Sequence, residues 1–272
     1  MTTTARTITL ALDAGDVDLS FTVDERGKGH PFLLLHGGGG PQTVTGFAGL
    51  LAEQRPARVI TPVHPGFGGT ARPDWLTDVP TLAQVYVRLL DELGLEDVTV
   101  VGNSIGGWIA AEIALLGSDR ISGVVLVNAA GIHVPGHPVA DPFTLTPAEL
   151  SALSFHDVDR FRIDPSTFSD EQRAAAAANR AALQVYSGPH AMADPTLRER
   201  LAKVTVPVLV AWGESDQVVD TEYGRAYATA IPGAEFEILP RTGHMPQIET
   251  PGQLLPVVWD FADTHATRRA TD

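Results

Sequence analysis

Gly102-Asn103-Ser104-Ile105-Gly106 sets a serine between two glycines in the pattern G-x-S-x-G. The run before it, Val98-Thr99-Val100-Val101, reads as a strand and the Ala-rich run after it as a helix, which is the strand–turn–helix context such a serine needs. At so sharp a turn the hydroxyl projects from the top of a sheet on a strained backbone. Glycines two before and two after remove side chains that would collide there. The helix start leaves backbone N–H groups unpaired, and that of Ile105 can face an anionic oxygen. An ordinary turn can also carry a glycine-flanked serine, so the weight of the pattern rests on its partners.

A serine hydroxyl needs a base near neutral pH, usually histidine, and the histidine needs an acid that fixes its tautomer and stabilises its cation. Of nine histidines, His244 alone stands in a Gly-His loop directly after a late strand, Arg241-Thr242-Gly243-His244-Met245-Pro246. His30 and His265 lie outside strand-end loops, and His156 and His190 fall in a long insertion. The acid is Asp216 in Trp212-Gly213-Glu214-Ser215-Asp216, with Glu214 and Asp220 as nearby competitors. The chain order is then Ser104, Asp216, His244, the order of a strand-elbow hydrolase. Attack on a carbonyl makes an oxyanion, which needs preorganised donors. His36-Gly37-Gly38-Gly39-Gly40 supplies exposed backbone N–H groups without side chains in the way. It lacks the Lys-Ser/Thr ending of a phosphate loop and is not a dinucleotide fingerprint, so no cofactor is expected. His133 and His137 are separated by Pro135 and Gly136 and there is no HExxH, so no metal is expected either.

Short elements must hold these groups at one edge. Thr7–Leu12 and Leu19–Asp24 read as strands of an opening hairpin turning at Gly15-Asp16. Buried strands are expected at Phe32–Leu35, Ala57–Val63, Ile121–Val127, Val206–Trp212 and Ala234–Leu239. Helices are expected at Gly46–Gln54, Leu82–Leu93, Thr221–Ala230 and Gly252–Ala262. Strands alternating with helices imply an α/β architecture with a mostly parallel sheet covered on both faces. Right-handed crossovers then bring the strand C-termini and their loops to one edge. Between the strands near Val127 and Val206 the rhythm breaks. Helices are expected there at Thr146–Leu153, Ser169–Tyr186 and Asp194–Lys203, with capped starts at Thr146-Pro147-Ala148-Glu149 and Ser169-Asp170-Glu171-Gln172. Residues 133–200 are read as a helical cap over the active edge, on a core of residues 1–132 and 201–272.

The bulk numbers agree with such a domain. A chain of 272 residues with 44% hydrophobic and 19% charged residues buries a large core. Its net charge of −14 argues against nucleic acid and anionic membranes as partners. The absence of cysteine excludes disulfides and thiolate chemistry. The first residues lack a signal-peptide core and no apolar run approaches membrane-spanning length, so a cytoplasmic protein acting on a small molecule is expected. Nothing in the sequence sets the oligomeric state.

The segments LLLHGGGG, HPGFGGT, VVGNSIGGW, AWGESDQVV and TGHMPQIETP resemble the α/β-hydrolase superfamily from Phe21 to about Phe261. The resemblance implies an eight-stranded, mostly parallel sheet flanked by helices, with a helical cap. It also implies Ser104 as nucleophile, Asp216 as acid, His244 as base, and the N–H groups of Gly38 and Ile105 as the oxyanion hole, with Gly39 the second choice of donor. Serine at the elbow tells against the haloalkane dehalogenases and epoxide hydrolases, which place aspartate there. GNSIGG preceded by HGGGG is similar to bacterial carbon–carbon hydrolases of ring-cleavage products. Those enzymes usually have Trp after the catalytic His, where this chain has Met245, and a cap arginine, for which Arg173 and Arg180 are the candidates. His64 stands where the family tends to have an apolar or aromatic residue. Phe143, Leu145, Phe155, Phe161, Phe168, Tyr186 and Met192 give the cap an apolar character. The expected function is a cofactor-independent serine esterase for small to medium apolar acyl groups. The alternatives are a C–C hydrolase and a ligand sensor with a vestigial triad.

Overall fold

The computed structural model describes residues 2–12, 15–161, 165–190 and 192–266. Ten strands are present among them: β1 (Thr2–Leu12), β2 (Gly15–Gly27), β3 (His30–Leu35), β4 (Ala57–Pro62), β5 (Val98–Asn103), β6 (Ile121–Val127), β7 (Gly131–Ile132), β8 (Ala193–Asp194), β9 (Val208–Gly213) and β10 (Glu235–Leu239). The helices are α1 (Gln42–Gln54), α2 (Val79–Glu92), α3 (Ile105–Leu115), α4 (Pro147–Ser154), α5 (Asp170–Ser187), α6 (Leu197–Arg200), α7 (Thr221–Ala230), α8 (Pro246–Glu249) and α9 (Pro251–His265).

Eight strands form one sheet in the order β1-β2-β4-β3-β5-β6-β9-β10. The β1–β2 and β2–β4 pairs are antiparallel and all the others parallel. The expected α/β fold with a mostly parallel eight-stranded sheet is therefore what the chain adopts. Every residue of β5, β6 and β9 is buried, because α1 and α9 pack on one face while α2, α3 and α7 pack on the other. The edge strand β10 instead alternates exposed and half-buried residues, as one covered face requires.

The register carries the functional consequence. Leu35 pairs with Gly102, Asn103 with Val127, Val127 with Ala211, and Leu239 with Gly213. The C-terminal ends of five parallel strands thus stand side by side, and the loops that follow them converge.

Several boundaries differ from the sequence expectation. Leu12 pairs with Gly15 and Ala11 with Asp16, so Gly15 and Asp16 belong to β2 and not to the turn. Helix α1 starts at Gln42, not Gly46, because it follows directly on Pro41 after the glycine turn. The helix expected over 194–203 shrinks to α6 and a 3₁₀ turn. Asp194 lies in β8 and its Oδ1 accepts the Thr196 N–H at 2.7 Å, which delays the helix start. The other starts in the insertion are as expected: Thr146 with Glu149 and Ser169 with Gln172 form complete capping boxes on α4 and α5. One feature had no sequence signal. Gly131–Ile132 and Ala193–Asp194 pair in parallel and close the base of the insertion. Tyr223 and Tyr227 of α7 donate hydroxyl hydrogen bonds to the carbonyls of Ile132 (2.6 Å) and Ala130 (2.8 Å), fastening that base to the core.

Candidate active site

Ser104 sits between β5 and α3 with φ 58° and ψ −119°, a conformation that costs energy for any residue with a Cβ. Three backbone hydrogen bonds hold it. Its N–H donates to Val127 at 3.1 Å, and its carbonyl accepts from Trp108 and Ala130, each at 3.1 Å. The flanking glycines have the expected cause. A Cβ on Gly102 would run into the Gly106 carbonyl, and one on Gly106 into the carbonyls of Leu35 and His36. Trp108, on the same helix, is 4% exposed and packs its ring against Gly131 in the core.

His244 and Asp216 meet as the sequence predicts. Nδ1 of His244 lies 2.8 Å from Oδ2 of Asp216, and both residues are buried. The other oxygen, Oδ1, accepts the N–H groups of Val218 (2.8 Å) and Val219 (3.1 Å). With Oδ1 taken by two backbone donors, Oδ2 is left to accept from the His244 ring, which sets the tautomer with the proton on Nδ1 and Nε2 bare. Neither competitor approaches His244. Glu214 accepts the Arg241 N–H at 2.9 Å, and Asp220 caps α7 at the Tyr223 N–H while its other oxygen meets His137 at 2.7 Å.

The base loop is braced by residues the sequence did not single out. Asn103 donates from Nδ2 to the His244 carbonyl at 2.9 Å and receives Gln247 Nε2 at 3.0 Å. Asn128 donates to the Gly243 carbonyl and accepts the Gly213 N–H, both at 2.8 Å, so one side chain ties the acid strand to the base loop. The insertion joins in at the end of α4. The Ser154 carbonyl accepts the His244 N–H at 2.7 Å and the Leu153 carbonyl accepts the Gln217 N–H at 3.1 Å. Glu249 then accepts the N–H groups of Gly243 (2.6 Å) and Asp157 (2.9 Å). Acid and base loops are therefore held by the same short segment of the insertion, 153–157, with His156 Nδ1 also 2.8 Å from Ser215 Oγ.

The glycine loop is clamped from the other side. A Cβ on Gly37 would stand 3.3 Å from the Ser104 Cβ, so the loop passes directly beside the serine. Asn179 of α5 donates to the Gly39 carbonyl at 3.0 Å and accepts the Gly68 N–H at 2.8 Å. One helical turn on, Leu183 covers Gly38, and the Tyr186 hydroxyl donates to the Pro65 carbonyl at 3.0 Å. Residues 179, 183 and 186 lie on one helix face.

Beneath the loop the imidazoles of His36 and His64 lie against each other, with ring centroids 3.7 Å apart, planes tilted by 32° and both side chains fully buried. Burial lowers His36 to about 4, and His64 falls well below its usual range through burial and the neighbouring His36. The hydrogen bonds need neutral rings. His36 Nδ1–H donates to the Gly37 carbonyl at 2.8 Å while its Nε2 accepts the His64 N–H at 3.1 Å. His64 Nε2–H donates to the His36 carbonyl at 2.9 Å, and its Nδ1 accepts the Tyr86 hydroxyl. An unfolded histidine titrates near 6.5, above the folded His36 at about 4. Between those values the unfolded chain binds a proton that the folded chain refuses, so stability falls as pH is lowered through the window. Urea unfolding from pH 6.5 toward 4 should show the decline. The His36 ring resonances should show no titration near 6.5; a midpoint there would contradict the assignment.

The arginines of the insertion proposed as anchors are engaged elsewhere. Arg180 donates to the carbonyls of Pro142 and Phe143, each at 2.6 Å, and Arg173 bonds the Phe168 carbonyl and Asp170. Arg200 pairs with buried Glu112 and with Asp194, Arg160 lies over the Phe161 ring, and Arg198 is exposed. Arg162 lies outside the described residues. No group of three or more His, Cys, Asp or Glu that could hold a metal ion occurs among the described residues, and no described helix is long and apolar enough to cross a membrane.

Comparison with known proteins follows the same lines. A sequence model described as the alpha/beta hydrolase family matches residues 32–257. The chain is 28% identical over 253 residues to a 2-hydroxymuconate semialdehyde hydrolase of Pseudomonas putida, covering 87% of this chain and 88% of that one. Among solved structures it superposes on a bromoperoxidase of Bacillus anthracis with TM-score 0.73 and 23% identity, covering 96% and 100% of the two chains. A thermophilic esterase of Thermogutta terrifontis gives TM-score 0.72 and 23% identity over 97% and 100%. At that identity the two structures show the fold alone.

Proposed function

The chain belongs to the α/β-hydrolase family, and from that premise we propose that it is a cofactor-independent serine hydrolase of neutral carboxylic esters. In this reading His244 Nε2 takes the Ser104 proton as the hydroxyl attacks the acyl carbon, and Asp216 stabilises the imidazolium. The N–H groups of Ile105 and Gly38 receive the oxyanion. His244 then protonates the leaving alcohol, an acyl-enzyme remains, and water activated by His244 releases the acid. Residues 133–200 act as the cap, through α5 above the glycine loop and α4 beside the base loop.

The substrate class rests on one observation: the engagement of Arg173 and Arg180 with backbone carbonyls and a carboxylate. A dienoate carries a fixed carboxylate, and burying it without a cationic or multi-donor anchor costs several kcal/mol. A neutral ester carries no such requirement. The second reading, hydrolysis of a C–C bond in a ring-cleavage product, is supported by the likeness to the 2-hydroxymuconate semialdehyde hydrolase of Pseudomonas putida. The two are separated by ranking kcat/KM for short p-nitrophenyl esters against a ring-cleavage dienoate. The ester is expected to lead. The reverse ranking, with dienoate turnover lost selectively in Arg180→Ala or Arg173→Ala, overturns the ester reading. A protein that binds these compounds while Ser104 takes no fluorophosphonate label is a sensor and not an enzyme.

A further inference from the structure

His64 is unexplained by the triad, yet it is fully buried and both of its ring nitrogens are engaged. A buried imidazole with two defined partners, one donor and one acceptor, has a fixed tautomer. Here a carbonyl oxygen faces Nε2, so Nε2 carries the proton and Nδ1 must accept from the Tyr86 hydroxyl. His36 is fixed in the opposite sense, since its Nε2 accepts the backbone N–H of His64 and its Nδ1–H donates to the Gly37 carbonyl. The relay from Tyr86 on α2 to the Gly37 carbonyl thus runs through main chain as well as rings: His64 Nε2–H holds the backbone carbonyl of His36, and the His36 ring in turn holds the Gly37 carbonyl. That carbonyl receives a second hydrogen bond from the Gly40 N–H at 3.1 Å.

The peptide following Gly37 is trans, as no described peptide bond is cis. In a trans peptide the N–H points opposite to the C=O. Two donors that hold the Gly37 carbonyl inside the turn therefore turn the Gly38 N–H outward, on the stretch of loop that passes beside Ser104. We propose that His64, with its tautomer set by Tyr86, is a positioning residue that aims the Gly38 N–H at the developing oxyanion through His36. The proposal rests on Ser104 being the nucleophile and goes beyond it, because the triad would be complete without His64. A histidine here supplies what an apolar residue cannot, a donor to the His36 carbonyl.

The test separates aim from mere packing. His64→Leu should lower kcat for a p-nitrophenyl ester by ~10²-fold, near the low end for loss of an oxyanion donor, and Tyr86→Phe by ~10-fold. KM should be unchanged in both, since the oxyanion exists only in the transition state. His64→Gln, which restores an N–H donor, should recover part of the loss. The second readout is binding. A trifluoromethyl ketone, which forms an oxyanion adduct with the serine, should bind the variants more weakly in proportion to kcat. The corresponding secondary alcohol, which forms none, should bind all of them equally. Loss of both ligands together, or variants that bind the ketone as the wild type does, overturns the proposal. Wild type that forms no adduct with the ketone overturns the nucleophile reading instead. Should His64→Leu fail to fold, Tyr86→Phe and the wild-type imidazole ¹⁵N shifts still decide. The shifts must show His36 protonated at Nδ1 and His64 at Nε2, and any other tautomers refute the relay.

Discussion

Ser104→Ala is expected to fold as the wild type does and to lose between roughly 10⁴- and 10⁶-fold in kcat on any ester the protein turns over. The size follows from how the site is assembled. His244 and Asp216 have no function in acyl transfer without an oxygen to deprotonate, so removing the serine removes the whole unit. Oxyanion donors and substrate binding remain and account for the residual rate. The fold is spared because the strained backbone at φ 58° is imposed by neighbours: the bonds to Val127, Trp108 and Ala130 all involve main-chain atoms of residue 104. Alanine keeps them and the Cβ. The check is paired. kcat is measured with the p-nitrophenyl ester series, and intact-mass analysis after fluorophosphonate treatment should show one adduct in the wild type, mapped to Ser104, and none in the variant. A label on any of the other nine serines, or activity in Ser104→Ala within tenfold of wild type, would remove Ser104 from the chemistry.

The reach and the limit of the sequence are both visible at this site. The elbow could be read because its determinants are local: two glycines, a strand before and a helix after, all within a few residues of Ser104. The pairing of Asp216 with His244 could be read because each follows a strand of a parallel sheet, whose C-terminal ends must meet at one edge. The supports could not. Asn103 reaches the His244 carbonyl across 141 positions, and Asn179 reaches Gly39 across 140. A buried asparagine with amide partners so distant leaves no periodicity or motif. Glu249 lies in the quoted segment TGHMPQIETP, but its work of gathering the Gly243 and Asp157 N–H groups depends on where the insertion folds back. The arginines fail for a related reason. Composition counts guanidinium groups in the insertion, while only coordinates tell that Arg180 ends on the carbonyls of Pro142 and Phe143. His64 was visible as an oddity, and its meaning waited for the ring of His36 beneath the glycine loop.

Asp216→Asn is the second large effect, on the order of 10⁴-fold in kcat, and the structure dictates its cause more closely than a generic triad would. Oδ1 of Asp216 faces two backbone donors, Val218 and Val219, and Oδ2 faces His244 Nδ1. An asparagine has one oxygen and one NH₂ to distribute between these places. The NH₂ cannot face the two N–H groups without setting donor against donor in a buried pocket, which costs about 1–3 kcal/mol per unsatisfied group. The oxygen is therefore held by Val218 and Val219, and the amide NH₂ is driven against His244 Nδ1. Nδ1 must then accept, the ring proton moves to Nε2, and Nε2 can no longer act as the base proposed for Ser104. Folding is retained, since the hydrogen bonds to Val218 and Val219 survive. Glu214→Gln and Asp220→Asn should leave kcat near wild type, because neither carboxylate approaches His244. The measurement is kcat for all three variants on one ester, together with the ¹⁵N shifts of His244. Asp216→Asn should show Nε2 protonated and the other two Nδ1 protonated. Near-wild-type activity in Asp216→Asn with a large loss at Glu214→Gln or Asp220→Asn would move the acid along the loop and refute the pairing.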